Sequence, residues 1–239
     1  MIIKVCGMRE AENIRDVAAL DVDLMGFIFY PKSPRYVRMI HSRAGIIPDY
    51  SEQRLREATE RKDAPLAGKH RRPGRVGVFV DEMPQTIVTR VYNYNLDYVQ
   101  LHGNESAVLV ENLRHTLDPD IHPGVKFIKA ISVSDKDDVA RYKPFEGKVD
   151  YFLFDTKTPA KGGSGQRFDW SVLDAYDGET PFLLSGGIGP DDVRRVLDFH
   201  HPRFAGIDLN SRFETEPGVK DVEELARFVN DVRQQCAMA

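Results

Sequence analysis

A thiol and a carboxylate stand in this sequence where one sheet edge could bring them together. Cys6 closes the run Ile2-Ile3-Lys4-Val5-Cys6, and Asp155 closes Tyr151-Phe152-Leu153-Phe154-Asp155. If both runs are parallel strands of one sheet, both side chains lie at its C-terminal edge, a pairing suited to proton transfer. A free thiol has a pKa of about 8.5, so little thiolate exists at neutral pH unless a cation or oriented N–H groups stabilise it. With such help Cys6 reads as a base or a nucleophile, and without it as a small buried hydrophobe. Asp155 reads as a general acid if burial or neighbouring anions raise its pKa, and otherwise as a helix cap or loop acceptor.

Other residues suit ligand binding. Arg35 lies in Tyr30-Pro31-Lys32-Ser33-Pro34-Arg35-Tyr36, where two prolines stiffen the turn and a guanidinium could hold a carboxylate bidentately or simply face solvent. His102 ends Val99-Gln100-Leu101-His102, where it can line a pocket or bond the adjacent turn. Three turns follow late strand signals: Lys161-Gly162-Gly163-Ser164-Gly165, Ser185-Gly186-Gly187 and Asp208-Leu209-Asn210-Ser211. Glycine lets backbone N–H groups approach an anion closely, so three such turns at consecutive strand ends point to a sugar phosphate. One alone would signify only a tight turn.

The elements that must position these groups are short apolar runs. They cover Ile2 to Cys6, Leu24 to Phe29, Val76 to Val80, Tyr98 to His102, Phe127 to Ile131, Tyr151 to Asp155, Phe182 to Ser185 and Phe204 to Leu209. Continuous apolar runs suit parallel strands covered on both faces. Helical spacing lies between them, as in Ala11, Ile14, Val17 and Ala18, or Ile87, Val88, Val91 and Tyr92. It recurs around Val108 to Leu117, more briefly at Val139 with Tyr142 and Val172 with Leu173, then after Pro190 and in Val222, Leu225, Phe228, Val229 and Val232. Eight strand–helix units in 239 residues predict an α/β fold, a (β/α)₈ TIM barrel forming a single domain over 1–239. A doubly wound open sheet is the alternative, but Cys6-Gly7-Met8-Arg9 lacks the glycine-rich fingerprint usual after its first strand. The polar stretch at about 48–74 breaks the pattern and reads as a weak second helix plus a mobile excursion.

Composition narrows the function. A net charge of -4 with mixed signs argues against nucleic acid as a partner, and the Lys69-His70-Arg71-Arg72 cluster reads as solvated loop. Cys6 and Cys236 are the only cysteines, so neither a disulfide framework nor zinc-type spacing exists, and a reduced, cytoplasmic setting is expected. No signal-peptide pattern and no apolar run of about 18 residues occurs, which argues against secretion and membrane spanning. A small sugar-phosphate substrate is the expected partner, and the oligomeric state stays open.

Together these residues resemble the phosphoribosylanthranilate isomerase family. The likeness rests on Lys4-Val5-Cys6-Gly7, the segment from Gly26 to Tyr36, Val76-Gly77-Val78-Phe79-Val80, Val99-Gln100-Leu101-His102-Gly103 and Asp155-Thr156-Lys157. It continues through the Gly162 to Gly165 turn with Phe168-Asp169-Trp170, Leu184-Ser185-Gly186-Gly187, and Asp208-Leu209-Asn210-Ser211 with Glu214, Pro217-Gly218 and Lys220-Asp221. The resemblance implies a step of tryptophan biosynthesis, the Amadori rearrangement of N-(5-phosphoribosyl)anthranilate to 1-(2-carboxyphenylamino)-1-deoxyribulose 5-phosphate, with no cofactor and no metal. It implies Asp155 as the acid that opens the ribose ring and Cys6 as the base that removes the acidified proton. It further implies Arg35 at the anthranilate carboxylate, Gly163, Ser164, Gly165, Gly186, Gly187, Asn210 and Ser211 around the phosphate, and Asp208 at the pocket floor. Arg212 departs from the family pattern, which often has a small residue there.

Two other readings compete. The histidine-pathway isomerase performs the same chemistry on a bis-phosphorylated substrate with paired aspartates, whereas this chain has Cys6 and one clear phosphate cradle. A non-catalytic sugar-phosphate sensor would have no need to keep both Cys6 and Asp155.

Overall fold

Each apolar run becomes a strand because both of its faces are covered. In β1 (Ile2–Cys6), Ile3 and Val5 pack outward against the helices while Cys6 joins the cluster inside the barrel. In β6 (Tyr151–Thr156), Phe152 and Phe154 face the helices and Leu153 faces inward. Burying such a side chain contributes roughly 1.5–3 kcal/mol, which outweighs weak local preference. The computed structural model describes residues 1–40, 44, 72–156 and 169–238.

The remaining strands are β2 (Leu24–Ile28), β3 (Gly74–Phe79), β4 (Tyr98–Leu101), β5 (Lys126–Val133), β7 (Phe182–Ser185) and β8 (Phe204–Leu209). All eight pair in parallel in sequence order and β8 closes on β1, giving the predicted barrel. The closed ring removes the alternative of an open sheet. Closure also brings the first and last strands together, with Lys4 opposite Asp208.

Helices Ala11–Ala18, Pro84–Tyr94, Ala107–Leu117 and Val222–Met238 lie where helical spacing predicts them. Pro84 starts its helix with a fixed φ, and Ser106 caps the next by accepting a hydrogen bond from Leu109 N at 3.2 Å. Shorter segments are tighter than expected. Trp170–Ala175 is a 3₁₀ helix, and Lys136–Val139 runs into 3₁₀ turns over Ala140–Phe145, where Pro144 cannot donate a backbone hydrogen bond. Pro190–Asp192 is likewise a 3₁₀ turn leading into Val193–Leu197.

A small hairpin, β9 (Glu214–Glu216) with β10 (Val219–Lys220), follows β8 and was not expected from periodicity. It sits beside the barrel mouth and carries two charged residues of the site. The 48–74 excursion lies outside the described residues except at its last three positions, and Gly163, Ser164 and Gly165 lie outside them altogether. Among the described residues no helix is long and apolar enough to cross a membrane.

Candidate active site

The C-terminal ends of the strands collect the groups singled out above. Cys6 is the last residue of β1 and is only 4% exposed. It lies opposite Gly26 of β2, and a Cβ there would come within 2.6 Å of the Cys6 sulfur, so glycine makes the room for the thiol. Two residues earlier on β1, hence on the same face, Lys4 is fully buried and donates from Nζ to Asp208 Oδ1 at 2.8 Å. Asp208 Oδ2 also accepts from Ser185 Oγ at 3.4 Å, which ties the ends of β7 and β8 together beneath Cys6.

Burial pushes the Cys6 thiol above its ordinary value, while the Lys4 ammonium pulls it back. For Lys4, burial alone would favour the neutral amine, but Asp208 and Cys6 hold the ammonium and its pKa rises.

Asp155 stands on β6, three strands from β1 around the closed ring, so it faces Cys6 across the mouth. Its Oδ2 is 3.6 Å from His102 Nε2, with side-chain exposures of 21% and 30% for the aspartate and the histidine. Gln100 Nε2 lies 3.0 Å from His102 Nδ1. Which of the two groups donates in this contact is set by the imidazole tautomer. Gln100 and His102 share a strand face because they are two residues apart, and the sequence reading used only the histidine.

Arg35 is already engaged. Its Nε donates to Glu214 Oε1 at 2.8 Å and its Nη2 to Glu214 Oε2 at 2.5 Å, a bidentate grip that leaves Nη1 without a hydrogen bond among the described residues. Lys220 Nζ donates to the same Glu214 Oε1 at 2.6 Å and to Asn210 Oδ1 at 2.9 Å. The Asn210 side chain is therefore held by Lys220, and what its loop offers a ligand is backbone. Burial alone would raise the Glu214 carboxyl, but hydrogen bonds from Arg35 and Lys220 hold it below the usual carboxylate range.

A depressed folded-state pKa gives stability that is complete above the unfolded value of about 4.3 and is lost as pH falls through the folded value. We therefore expect the melting temperature to fall below pH 4, and to fall less steeply in Glu214→Gln. Identical slopes from pH 6 to pH 3 would contradict this.

Gly186 and Gly187 follow β7 with φ of 103° and 69°, a left-handed pair that side-chain-bearing residues rarely adopt. Ser211 opens a 3₁₀ turn, Ser211–Phe213, after β8. The Arg212 side chain lies against Gly189, where a Cβ would stand 3.2 Å from Arg212 Nε. This cation thus reaches from the turn after β8 to the segment after β7.

The structure brings Cys6, Asp208, Arg35 and Asn210 together on one side of the mouth and Asp155 with His102 on the other. Sequence reasoning missed Lys4, Gln100, Glu214 and Lys220 as functional groups. The signal for Lys4 was its two-residue spacing from Cys6; the Glu214 pairing spans 179 positions and left no local signal. Among the described residues no group of three His, Cys, Asp or Glu could hold a metal ion.

Known proteins are similar to this chain along almost its whole length. The N-(5'-phosphoribosyl)anthranilate isomerase of Parabacteroides distasonis is 47% identical over 232 residues, covering 97% of this chain and 93% of the relative. The crystal structure of phosphoribosyl anthranilate isomerase from Thermotoga maritima matches with a TM-score of 0.69 at 31% identity, over 98% of this chain and all of the other. A phosphoribosyl anthranilate isomerase solved in complex with reduced 1-(o-carboxyphenylamino)-1-deoxyribulose 5-phosphate matches at 28% identity and a TM-score of 0.67, covering 98% of this chain and 100% of that one. Residues 3–231 match the family model for N-(5'-phosphoribosyl)anthranilate isomerase, and the chain belongs to that family.

Proposed function

We propose that this barrel isomerises N-(5-phosphoribosyl)anthranilate with Asp155 as general acid and Cys6 as general base. The observation that carries the reading is the buried Cys6 thiol, backed by the Lys4 ammonium, on the strand end across the barrel mouth from Asp155. Asp155 gives its proton to the ribose ring oxygen, the ring C–O bond breaks, and the anthranilate nitrogen lone pair forms an iminium with C1. Cys6 then removes the proton from C2, whose electron pair flows into the iminium. The resulting enolamine tautomerises to the aminoketose.

The chemistry suits the residues. An iminium acidifies the neighbouring C–H strongly, so a thiolate suffices as base, and each positioned proton-transfer group contributes about 10²–10⁴-fold. His102, with its Nε2 facing Asp155, acts on the carboxyl from the β4 side. Backbone groups of Gly186, Gly187, Asn210 and Ser211 hold the phosphate, with Arg212 adding charge beside them; for Gly163, Ser164 and Gly165, outside the described residues, the phosphate role rests on the family resemblance alone. Tryptophan biosynthesis is the setting, and the ligand is a single small sugar phosphate.

A steady-state fluorescence assay offering phosphoribosylanthranilate and, separately, the bis-phosphorylated histidine-pathway substrate tests the assignment. We expect turnover of the first and none of the second. Turnover of the second alone, or of neither, would overturn it.

Arg35 meets the anthranilate carboxylate with Nη1 while Glu214 fixes the opposite edge of the guanidinium. A hydrogen bond to a charged group contributes about 1.5–3 kcal/mol, so Arg35→Ala should weaken binding of the reduced product analogue by about 10–100-fold. The same substitution should be felt far less with an analogue lacking the carboxylate. Equal losses for both ligands would assign Arg35 a purely structural role.

A further inference from the structure

The interior layer of a barrel is normally filled by branched apolar side chains. Here the inward neighbours include Leu24, Val76, Val78, Ile128 and Leu153, yet Lys4 sits among these strands with no exposure at all. Its ammonium donates to Asp208 Oδ1 at 2.8 Å. A buried ion pair of this kind is poor value as a stabiliser, because desolvating both charges offsets most of their attraction and an apolar pair of similar volume often serves as well. Stability therefore does not explain why a lysine occupies this layer.

Its position does. Lys4 lies one pleat beneath Cys6 on the same strand face, so its buried ammonium and the buried thiol share the interior of the barrel. The charged groups that face Cys6 come from four segments: Lys4 on β1, Asp208 on β8, Lys220 on β10 and Arg35 after β2. Glu214 is already bidentate to Arg35 and bonded to Lys220, so those two cations are substantially committed. The three cations outnumber the carboxylates Asp208 and Glu214 by one. A thiolate at Cys6 would balance that excess.

We propose that Lys4 is the positioning residue that makes Cys6 a competent base, its buried ammonium stabilising the thiolate from inside the barrel while Asp208 keeps the ammonium charged and aimed. This rests on Cys6 being the base, and it names the cation that such a base requires. No proton passes through Lys4. The C2 proton of the substrate goes to sulfur, and Lys4 remains an ammonium throughout, consistent with the upward displacement of its pKa by Asp208 and Cys6 despite burial.

The test is the pH dependence of Cys6 alkylation by iodoacetamide in a Cys236→Ser background, which leaves one reactive thiol. Removing a cation disfavours the thiolate, so Lys4→Met should move the alkylation midpoint up by about one pH unit. That corresponds to about tenfold slower alkylation and a similar loss in kcat at neutral pH, with KM for phosphoribosylanthranilate little changed. Lys4→Arg should restore part of both.

Because Lys4→Met leaves Asp208 buried without its partner, the paired variant Lys4→Met with Asp208→Leu keeps the test available if the single variant does not fold. Lys4 acts on the thiol more strongly than Asp208 does, so the midpoint should still lie above wild type in the pair. An unchanged midpoint in either folded variant would overturn the proposal. The alkylation midpoint is read without turnover, so it fails or succeeds separately from the assignment of the reaction: a shifted midpoint in a chain that does not isomerise the substrate would leave Lys4 in its role and remove the reaction.

Discussion

Asp155→Asn is expected to lower kcat for phosphoribosylanthranilate by about 10²–10⁴-fold while changing the affinity for the reduced product analogue by less than about threefold. The amide keeps the shape and hydrogen-bonding capacity of the carboxyl but cannot deliver a proton to the ring oxygen. Ring opening would then depend on water or on His102, whose Nε2 stands 3.6 Å from the carboxylate. The affinity holds because the ligand's charged ends are bound elsewhere, at Arg35 and at the turns after β7 and β8. Stopped-flow turnover alongside fluorescence titration of the analogue separates the two quantities. A parallel loss of affinity and kcat would make Asp155 a binding group.

Cys6→Ala should be equally damaging, with kcat falling by about 10²–10⁴-fold and the analogue bound almost normally. The thiol is buried among the Lys4, Asp208 and Gly26 contacts, so alanine leaves a small space and no substitute base at that strand end. The neighbouring ammonium of Lys4 cannot take the role, since it holds its proton against Asp208. Wild-type activity should also rise with pH on its acidic side. Burial lifts the thiol pKa, so the base form grows as pH increases through that raised value. In Cys6→Ser this limb should disappear from the accessible range, because a hydroxyl does not ionise there. Near-normal turnover by Cys6→Ala would end the assignment of the base.

The two losses should not multiply. Proton delivery and proton removal act in sequence on one intermediate, and groups that act as a unit lose most of their effect with the first deletion. The double variant is therefore expected to be little slower than the slower of the two single variants.

Much of this molecule was legible before any coordinates. The barrel strands fall within about three residues of the apolar runs at each end because a parallel barrel strand is buried on both faces and must read as continuous hydrophobicity. The predicted runs Val76 to Val80 and Phe127 to Ile131 are the loosest: β3 covers Gly74–Phe79, and β5 extends over Lys126–Val133 and includes the half-buried Ser132. Short helices were less legible. A four- or six-residue segment such as Trp170–Ala175 offers too few turns for spacing to separate an α-helix from a 3₁₀ helix.

For the site, residue types at strand ends carried the reading of Cys6, Asp155 and His102. Their partners were hidden for a physical reason: Lys4 meets Asp208 only when the barrel closes, 204 positions along the chain, and Arg35 meets Glu214 only when the hairpin after β8 forms beside the mouth. Pro217-Gly218 forms the turn of that hairpin, yet nothing local says that Glu214 would be buried there. The cation needed beside Cys6 thus lay two residues away in the sequence and became recognisable only through its burial.

The assignment of roles is tested most directly by the kinetic isotope effect with substrate deuterated at C2, measured on Cys6→Ser and on Asp155→Asn. With the base weakened, C–H cleavage limits the rate, and Cys6→Ser should show a primary effect of several-fold; with the acid removed, ring opening limits it, and Asp155→Asn should show an effect near unity. The reverse pattern, near unity in Cys6→Ser and several-fold in Asp155→Asn, would contradict Cys6 as the base and Asp155 as the acid.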